Sequence, residues 1–437
     1  MNQKPTKVRY QVLFVVCLVY LITYLDRVNL SVATPLMMKH FHVNKLQWGI
    51  VFSVFMWTYS GFQIPIGMLG DKFGPRKVLA GLVAAWSMLT AATGMAWSFP
   101  ALVAIRALFG IGEAGAFPNA TRAFSYWMPS SQRGLAQGLT HGAARFGGAV
   151  TPVIVTALMA RWGWRSSFYI FGAVGLVWAG FWLWWYRDKP AEFRERSGAI
   201  NQAELDLIES GLPAKKGTAK LKFRTLIKSR NMWFLSLSYL FYSYVSWIYL
   251  LWLPTYLVEA RGFSMLKMGV FASLPLFAGV IGDTMGGWLS DKIWRWTGRG
   301  KFARRVVAMS GMLIATAFML PGVLTHSAYL AVFLFACSLF GLEMAVGVYW
   351  TVCLDVGHEY AGTVSGMMNS IGNIGSAISP IAFGAIVQYT GSWVYPFLVG
   401  AAVLVIGVLF WLGVNPELSV VDELGLREAG KATAPAQ

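Results

Sequence analysis

Twelve long, mostly apolar stretches dominate the sequence, at about 10–37, 46–69, 78–97, 100–121, 133–159, 166–186, 231–257, 267–289, 305–324, 328–352, 361–388 and 393–414. A helix rises about 1.5 Å per residue, so about 20 apolar residues cover a hydrocarbon core of about 30 Å. Inside lipid every backbone N–H and C=O must be paired within the spanning structure, which leaves helices or a closed β-barrel. Barrel strands alternate apolar and polar residues over about ten positions, and these stretches do not. The fold class predicted is an all-α membrane protein with twelve transmembrane helices. Composition agrees: 13% of residues are charged and mean hydropathy is +0.55, where a soluble domain carries about 25% charge. The first stretch is too long for a signal-peptide core and no small-residue cleavage site closes it, so it reads as a retained helix.

The net charge of +17 invites a nucleic-acid reading, since basic proteins attract phosphate. The placement of the charges argues against it. Of the 36 Lys and Arg, 27 fall in the termini and in alternate connections, with eleven from Arg187 to Arg230 and six from Lys292 to Arg305. The other connections hold six: Lys39, Lys45, Arg161, Arg165, Arg261 and Lys267. The basic side faces the cytoplasm. Both termini are therefore expected there, in a multi-pass protein of a bacterial inner membrane. Cys17, Cys337 and Cys353 fall in or at the end of apolar stretches and read as free thiols. His40, His42, His141, His326 and His358 are scattered, and neither a phosphate-binding loop nor a metal-ligand spacing occurs. No enzyme, metal or cofactor is expected.

The polar segment from about 188 to 229 divides the chain. The expected domains are an N-terminal six-helix bundle at 1–187, a cytoplasmic loop at 188–229, a C-terminal six-helix bundle at 230–415 and a cytoplasmic tail at 416–437. Within the loop, "NQAELDLIESG" reads either as a linker or as a short amphipathic helix on the membrane surface, capped by Asn201. The halves repeat. "GMLGDKFGPRK" (67–77) matches "GGWLSDKIWRW" (286–296) in Gly, three residues, Asp-Lys. "GLAQGLTHGAARFGGAVTP" (134–152) aligns without gaps on "GTVSGMMNSIGNIGSAISP" (362–380), with Gly134, Gly138, Gly147, Ala149 and Pro152 on Gly362, Gly366, Gly375, Ala377 and Pro380. Parallel repeats of six helices characterise one class of secondary transporters.

Three arginines (Arg27, Arg106 and Arg145) and four acids (Asp26, Glu113, Asp283 and Glu343) lie inside the apolar stretches. An ionised side chain at mid-bilayer costs about 2.5–3.5 kcal/mol on insertion scales, so such residues face a partner or a cavity. Asp26 and Arg27 are neighbours on a helix and point about 100° apart, so they cannot neutralise each other well. Glu113 and Arg106 share one helical face, which makes a fixed pair between them one reading and a proton carrier the other. Arginine binds carboxylates through a two-pronged fork, and a buried acid beside it is placed to exchange protons. Asp283 and Glu343 stay open between titrating and structural roles. The stripe of Tyr242, Trp247 and Tyr249 either packs or closes over a polyol.

"GMLGDKFGPRK" resembles the cytoplasmic loop signature of the major facilitator superfamily, and "RALFGIGEAGAFP" (106–118) resembles the fourth-helix signature of its anion:cation symporter branch. With "YLDRVNL", "FSVFMWTYSGFQIPIG" and "GMMNSIGNIG" the likeness covers nearly the whole chain and is nearest to bacterial galactonate, glucarate and hexuronate proton symporters. It implies import of a small organic carboxylate with protons by alternating access, as a monomer in the lipid bilayer. It also implies Asp26 and Glu113 as proton carriers, Arg27 as the residue meeting the substrate carboxylate, and Tyr24, Tyr59, Arg106, Trp350 and Asn369 around the substrate. The pattern departs at Arg145, where relatives carry a small or amide residue. The internal repeat sets Arg145 against Asn373, and both are taken as substrate contacts, Arg145 favouring dianions; the other reading of Arg145 pairs it with Glu113, where it tunes that acid and leaves a monoanion preference. Asp71, Arg76, Arg133 and Asp291 are expected at the cytoplasmic gate, the two acids latching through Arg133 or Arg305. Transport of aromatic or dicarboxylic acids such as phthalate or tartrate, and a passive anion pathway, are the alternatives.

Overall fold

The computed structural model describes residues 4–129, 132–210, 226–357 and 360–425, without the side chains of residues 64, 71, 134, 210 and 362. Among the described residues every regular element is helical: α1 (Val8–Phe41), α2 (Lys45–Phe73), α3 (Pro75–Gly94), α4 (Phe99–Glu113), α5 (Ala116–Trp127), α6 (Arg133–Trp162), α7 (Trp164–Trp185), α8 (Pro190–Ser197), α9 (Gln202–Ser210), α10 (Arg230–Glu259), α11 (Met265–Thr297), α12 (Gly300–Leu324), α13 (Ala328–Gly357), α14 (Ala361–Thr390), α15 (Val394–Trp411) and α16 (Val420–Glu423). Eleven spans, α4 and α5 counting as one, are long and apolar enough to cross a membrane. The 29-residue α2 supplies the length of a twelfth. The chain forms two compact units, Met1–Gly217 with Gly262–Ser273, and Thr218–Arg261 with Leu274–Gln437.

Local sequence sets the helix ends. Asn44 and Gln47 form a reciprocal capping box at the start of α2: each side chain accepts the other residue's backbone N–H at 2.9 Å. The fourth apolar stretch, expected as one helix, is interrupted after Glu113. Pro118 explains the break, because it has no N–H to give the carbonyl of Ala114 and its ring crowds that carbonyl. Just beyond it, Asn119 gives both its backbone N–H and its side-chain amide to the Gly115 carbonyl, at 3.1 and 2.7 Å. The interruption leaves Glu113 at the last turn of α4.

The internal repeat is a repeat of structure. Shifting α6 by 228 positions gives the bounds of α14. A Cβ on Gly147 of α6 would lie 2.8 Å from the Leu21 carbonyl of α1, and one on Gly375 of α14 would lie 2.3 Å from the Leu240 carbonyl of α10. Only glycine permits backbones to approach so closely.

Each unit is also fastened in the same way by the chain that follows its last span. After α7, the Asp188 carboxylate accepts the Arg76 N–H at 2.9 Å, at the start of α3. Glu204 on α9 then accepts the N–H groups of Val8 and Arg9, at 3.2 and 3.1 Å, at the start of α1. After α15, Glu417 accepts the Lys301 N–H at 2.9 Å at the start of α12, and Glu423 accepts those of Arg230 and Asn231, at 2.9 and 3.2 Å, at the start of α10. The first N–H groups of a helix have no internal partner and form its positive end, so carboxylates suit both needs.

This corrects the surface-helix expectation for "NQAELDLIESG". Glu204 is fully buried, takes the Thr6 hydroxyl and pairs with the Arg9 guanidinium at 2.9 Å. Asn201 does cap α9, accepting the Glu204 N–H at 3.0 Å. At the α3 clasp, Gly74 has φ +81° and a Cβ there would stand 2.3 Å from the Asp188 carboxylate. Burial raises the Asp188 carboxyl above its ordinary range, with the neighbouring Arg76 acting against it.

Candidate functional site

In the first unit α1, α2, α4 and α5 bring most of the expected residues together. Arg27 is buried, and its Nε donates to Oε1 of the fully buried Glu113 at 2.8 Å. Four rings surround the guanidinium: Tyr59 at 4.9 Å, Tyr24 at 5.3 Å, Phe55 at 5.4 Å and Phe117 at 5.7 Å. Phe55 also lies 5.0 Å from the guanidinium of Arg106, which sits 4.2 Å over Phe109. An aromatic face attracts cations, so one ring serves both arginines where two bare guanidiniums would repel.

The sequence put Arg106 beside Glu113 because the two share a helical face. Of the two readings left open, the structure does not show the fixed pair among the described residues: Glu113 hydrogen-bonds across helices to Arg27, with the Arg106 charge nearby. The last residue of α4 thus meets α1. Asp26, 2% exposed, stands beside Thr90 and Trp86 of α3, within the fields of Glu113 and Arg106. Among the described residues no hydrogen bond of normal geometry reaches either Asp26 oxygen, nor Oε2 of Glu113. Two carboxyls and two guanidiniums thus share one buried region, and their formal charges cancel. Arg145 is half-buried on α6 of the same unit.

The second unit holds the remaining substrate candidates. Trp350 on α13 is half-buried with its ring 6.3 Å from Tyr239 of α10, Asn369 on α14 is half-buried, and Asn373 is buried with its amide nitrogen unpartnered among the described residues. Glu343 is buried and accepts the Tyr242 hydroxyl at 3.0 Å and the Ser246 hydroxyl at 3.3 Å. Tyr242 therefore belongs to a polar cluster, whereas Tyr249 is tied into the core through Ser338 at 2.7 Å. Asp283 on α11 faces Gly347 of α13.

The gate partners differ from expectation. Asp291 pairs with Arg304 at 2.6 Å, and Arg304 also reaches Asp355 at 2.9 Å. Arg305 gives its donors to the carbonyls of Val414 and Leu412, at 2.8 and 2.6 Å, and Arg133 to those of Met128 and Ser125, at 3.1 and 3.0 Å. Both spend their forks on backbone of their own unit, where the last carbonyls of helices need donors. Arg76 is bound to the Leu183 carbonyl at 2.7 Å. The side chain of Asp71 lies outside the described residues. Phe55, Phe117, Thr90, Trp86 and Ser246 were not singled out from the sequence. The apolar ones carry no signal that separates them from packing.

The Major Facilitator Superfamily profile matches residues 16–380. The chain is 42% identical over 416 residues to the probable sulfoacetate transporter SauU of Cupriavidus necator, covering 95% of each protein. It is 30% identical to the hexuronate transporter of Bacillus subtilis, covering 92% of this chain and 94% of that protein. Identity to the probable galactarate/D-glucarate transporter GarP of Escherichia coli is 29%, over 98% of each. Among solved structures, a bacterial homolog of the human lysosomal transporter Spinster superposes with a TM-score of 0.74 at 20% identity, covering 94% of this chain and 97% of that one, a likeness of fold. The chain therefore belongs to the Major Facilitator Superfamily and is a multi-pass membrane transporter.

Proposed function

We propose that this chain imports small organic dianions with protons across a bacterial inner membrane, both termini in the cytoplasm. The Arg27–Glu113 bond carries the reading. A substrate acid group needs Arg27, and in the resting arrangement Glu113 holds it at 2.8 Å. An anion added to a region whose charges already cancel leaves an uncompensated charge in low dielectric, which is costly. Protonation of Glu113 removes that cost and releases Arg27 together, and protonation of Asp26 removes the charge cost alone, so proton and anion enter as one. Arg145, the third arginine inside the apolar stretches, lies in the same unit and answers a second negative charge. The 42% relative named for sulfoacetate, a molecule with a sulfonate and a carboxylate, supports a two-headed substrate, and the galactarate/D-glucarate relative supports the same charge.

The test is uptake into proteoliposomes with an alkaline interior, using labelled sulfoacetate, glucarate and galactonate. Accumulation above the external concentration, collapsed by a protonophore, with the dianions preferred, is expected. Equilibration without accumulation makes the chain a passive pathway, and a preference for galactonate removes the dianion assignment. Arg145→Gln should abolish the dianion preference; an unchanged ranking refutes the role of Arg145.

A further inference from the structure

His141 stands one helical turn from Arg145 on α6, on the side toward Arg133. Its ring stacks on Phe117 at 6.3 Å and 18°, and meets Tyr20 edge-on at 5.9 Å. Phe117 is one of the four rings around Arg27, 5.7 Å from its guanidinium. One ring therefore touches both the substrate arginine and this imidazole. That bounds their separation at two stacking distances, a span that an acid head, a short carbon chain and a second acid head can fill.

The α6 surface shows which way His141 faces. At about 100° per residue, Gly138, His141, Gly142 and Arg145 occupy one arc, while the exposed Leu135, Leu139 and Phe146 occupy a neighbouring one. A Cβ on Gly138 or Gly142 would meet nothing within 4 Å. The apolar arc suits lipid. Two ionisable side chains separated by glycines do not, since charge toward lipid is costly, so their arc opens toward water or substrate. Histidine changes charge near neutrality, with an ordinary pKa of about 6.5. Among titratable groups, Tyr20 of α1 meets its ring edge-on, and Arg145 follows one turn along its own helix.

Resting on the proposed dianion transport, we propose that His141 is a further substrate contact: with Arg145 it receives the second acidic group of the anion whose first group Arg27 holds, and so sets the choice between dianions and monoanions. His141→Gln keeps a hydrogen-bonding side chain and removes the cationic form. It should raise the KM for sulfoacetate and glucarate about tenfold, the worth of one charged hydrogen bond, with kcat and the KM for galactonate changed less than twofold. His141→Cys should react with an aqueous cationic methanethiosulfonate reagent and be shielded by 10-fold-KM sulfoacetate (about that excess gives about 90% occupancy), while Leu139→Cys on the apolar arc should not react. A KM for dianions unchanged in His141→Gln, or a cysteine at 141 that is unreactive or unshielded, overturns the inference. Wild type that accumulates none of the three acids overturns the transport reading instead, so the two failures are distinct.

Discussion

Replacing Glu113 by Gln should uncouple transport while tightening substrate binding at alkaline pH. In the wild type, Arg27 donates to Glu113 at 2.8 Å in a fully buried setting, so an incoming acid group competes with that carboxylate. A hydrogen bond between charged groups contributes about 1.5–3 kcal/mol, and each 1.4 kcal/mol is tenfold in affinity. Removing the competitor's charge should therefore lower the Kd by about 10- to 100-fold where Glu113 would be ionised. At acidic pH, where the wild-type carboxyl is protonated, the two proteins should converge, so the variant's Kd becomes nearly independent of pH. The same change leaves Arg27 buried without its anion, a loss of about 3–5 kcal/mol for a broken buried pair. Substrate restores an anion, so the rise in Tm on adding sulfoacetate should be larger in the variant. Kd is read by calorimetry in detergent from pH 5 to 9, coupling by pH-driven uptake, and exchange by counterflow. Weaker binding by the variant at pH 9, or full concentrative uptake, would refute the competition between Glu113 and substrate.

Three further outcomes follow from the helix clasps. Glu204→Ala should destabilise the protein by about 3–5 kcal/mol, because it strands the buried Arg9 guanidinium along with two helix N–H groups; a Tm in detergent within 1 °C of wild type would contradict this. Gly74→Ala should cost about 1–3 kcal/mol from the strained φ of +81° and the clash with Asp188, and Asp188→Ala should not be rescued by it; equal Tm values for wild type and Gly74→Ala count against the clasp. Burial raises the Asp188 carboxyl, so the folded state binds its proton at a higher pH than the unfolded chain. Wild type should thus gain stability relative to Asp188→Asn as pH falls from neutrality toward the ordinary carboxylate range, and a wild type that loses stability relative to the variant over that range would show the sign to be wrong.

The sequence showed clearly those features whose cause is local. Apolar length marks a span without reference to any partner, and Asp26, Arg27, Arg106 and Glu113 stand out because charge is rare in such stretches. Partner choice is not local. Arg106 lies on the same α4 face as Glu113, yet Arg27, 86 positions away along the chain, takes the bond. The interruption at Pro118 was legible in principle, since a proline within a helix disturbs the turn before it, but its effect on Glu113 depends on α1. The clasps were hidden for a different reason. Asp188, Glu204, Glu417 and Glu423 lie in charged connections where an acid ordinarily meets water, and nothing in their own neighbourhood signals a helix start far away along the chain. Asp291 misled in the same manner: Arg304 and Arg305 are adjacent, and only the helix phase decides that Arg304 turns toward it.

The repeat separates what the frame requires from what the chemistry requires. The carbonyls of Leu21 and Leu240 meet Gly147 and Gly375, which puts α1 and α10 in register at 219 positions. Pro35 and Pro254 keep that register, and by it Arg27 corresponds to Ser246. Each of these side chains donates to a glutamate of its unit's fourth span, Arg27 to Glu113 and Ser246 to Glu343. The backbone geometry that brings first and fourth spans together is therefore common to both units, as are the carboxylates that cap their helices. The donor differs, a guanidinium in one unit and hydroxyls in the other. Bonds involving charge are about twice as strong as neutral ones and respond to protonation of the acceptor. In the proposed mechanism a proton arriving at Glu113 changes the hold on a cation that the anionic substrate also needs, whereas one arriving at Glu343 changes its grip on the Ser246 and Tyr242 hydroxyls. With the frame the same, one residue on the first span sets a guanidinium against a carboxylate in the N-terminal unit and a hydroxyl against one in the C-terminal unit, and the proposed coupling of anion and proton rests on that difference.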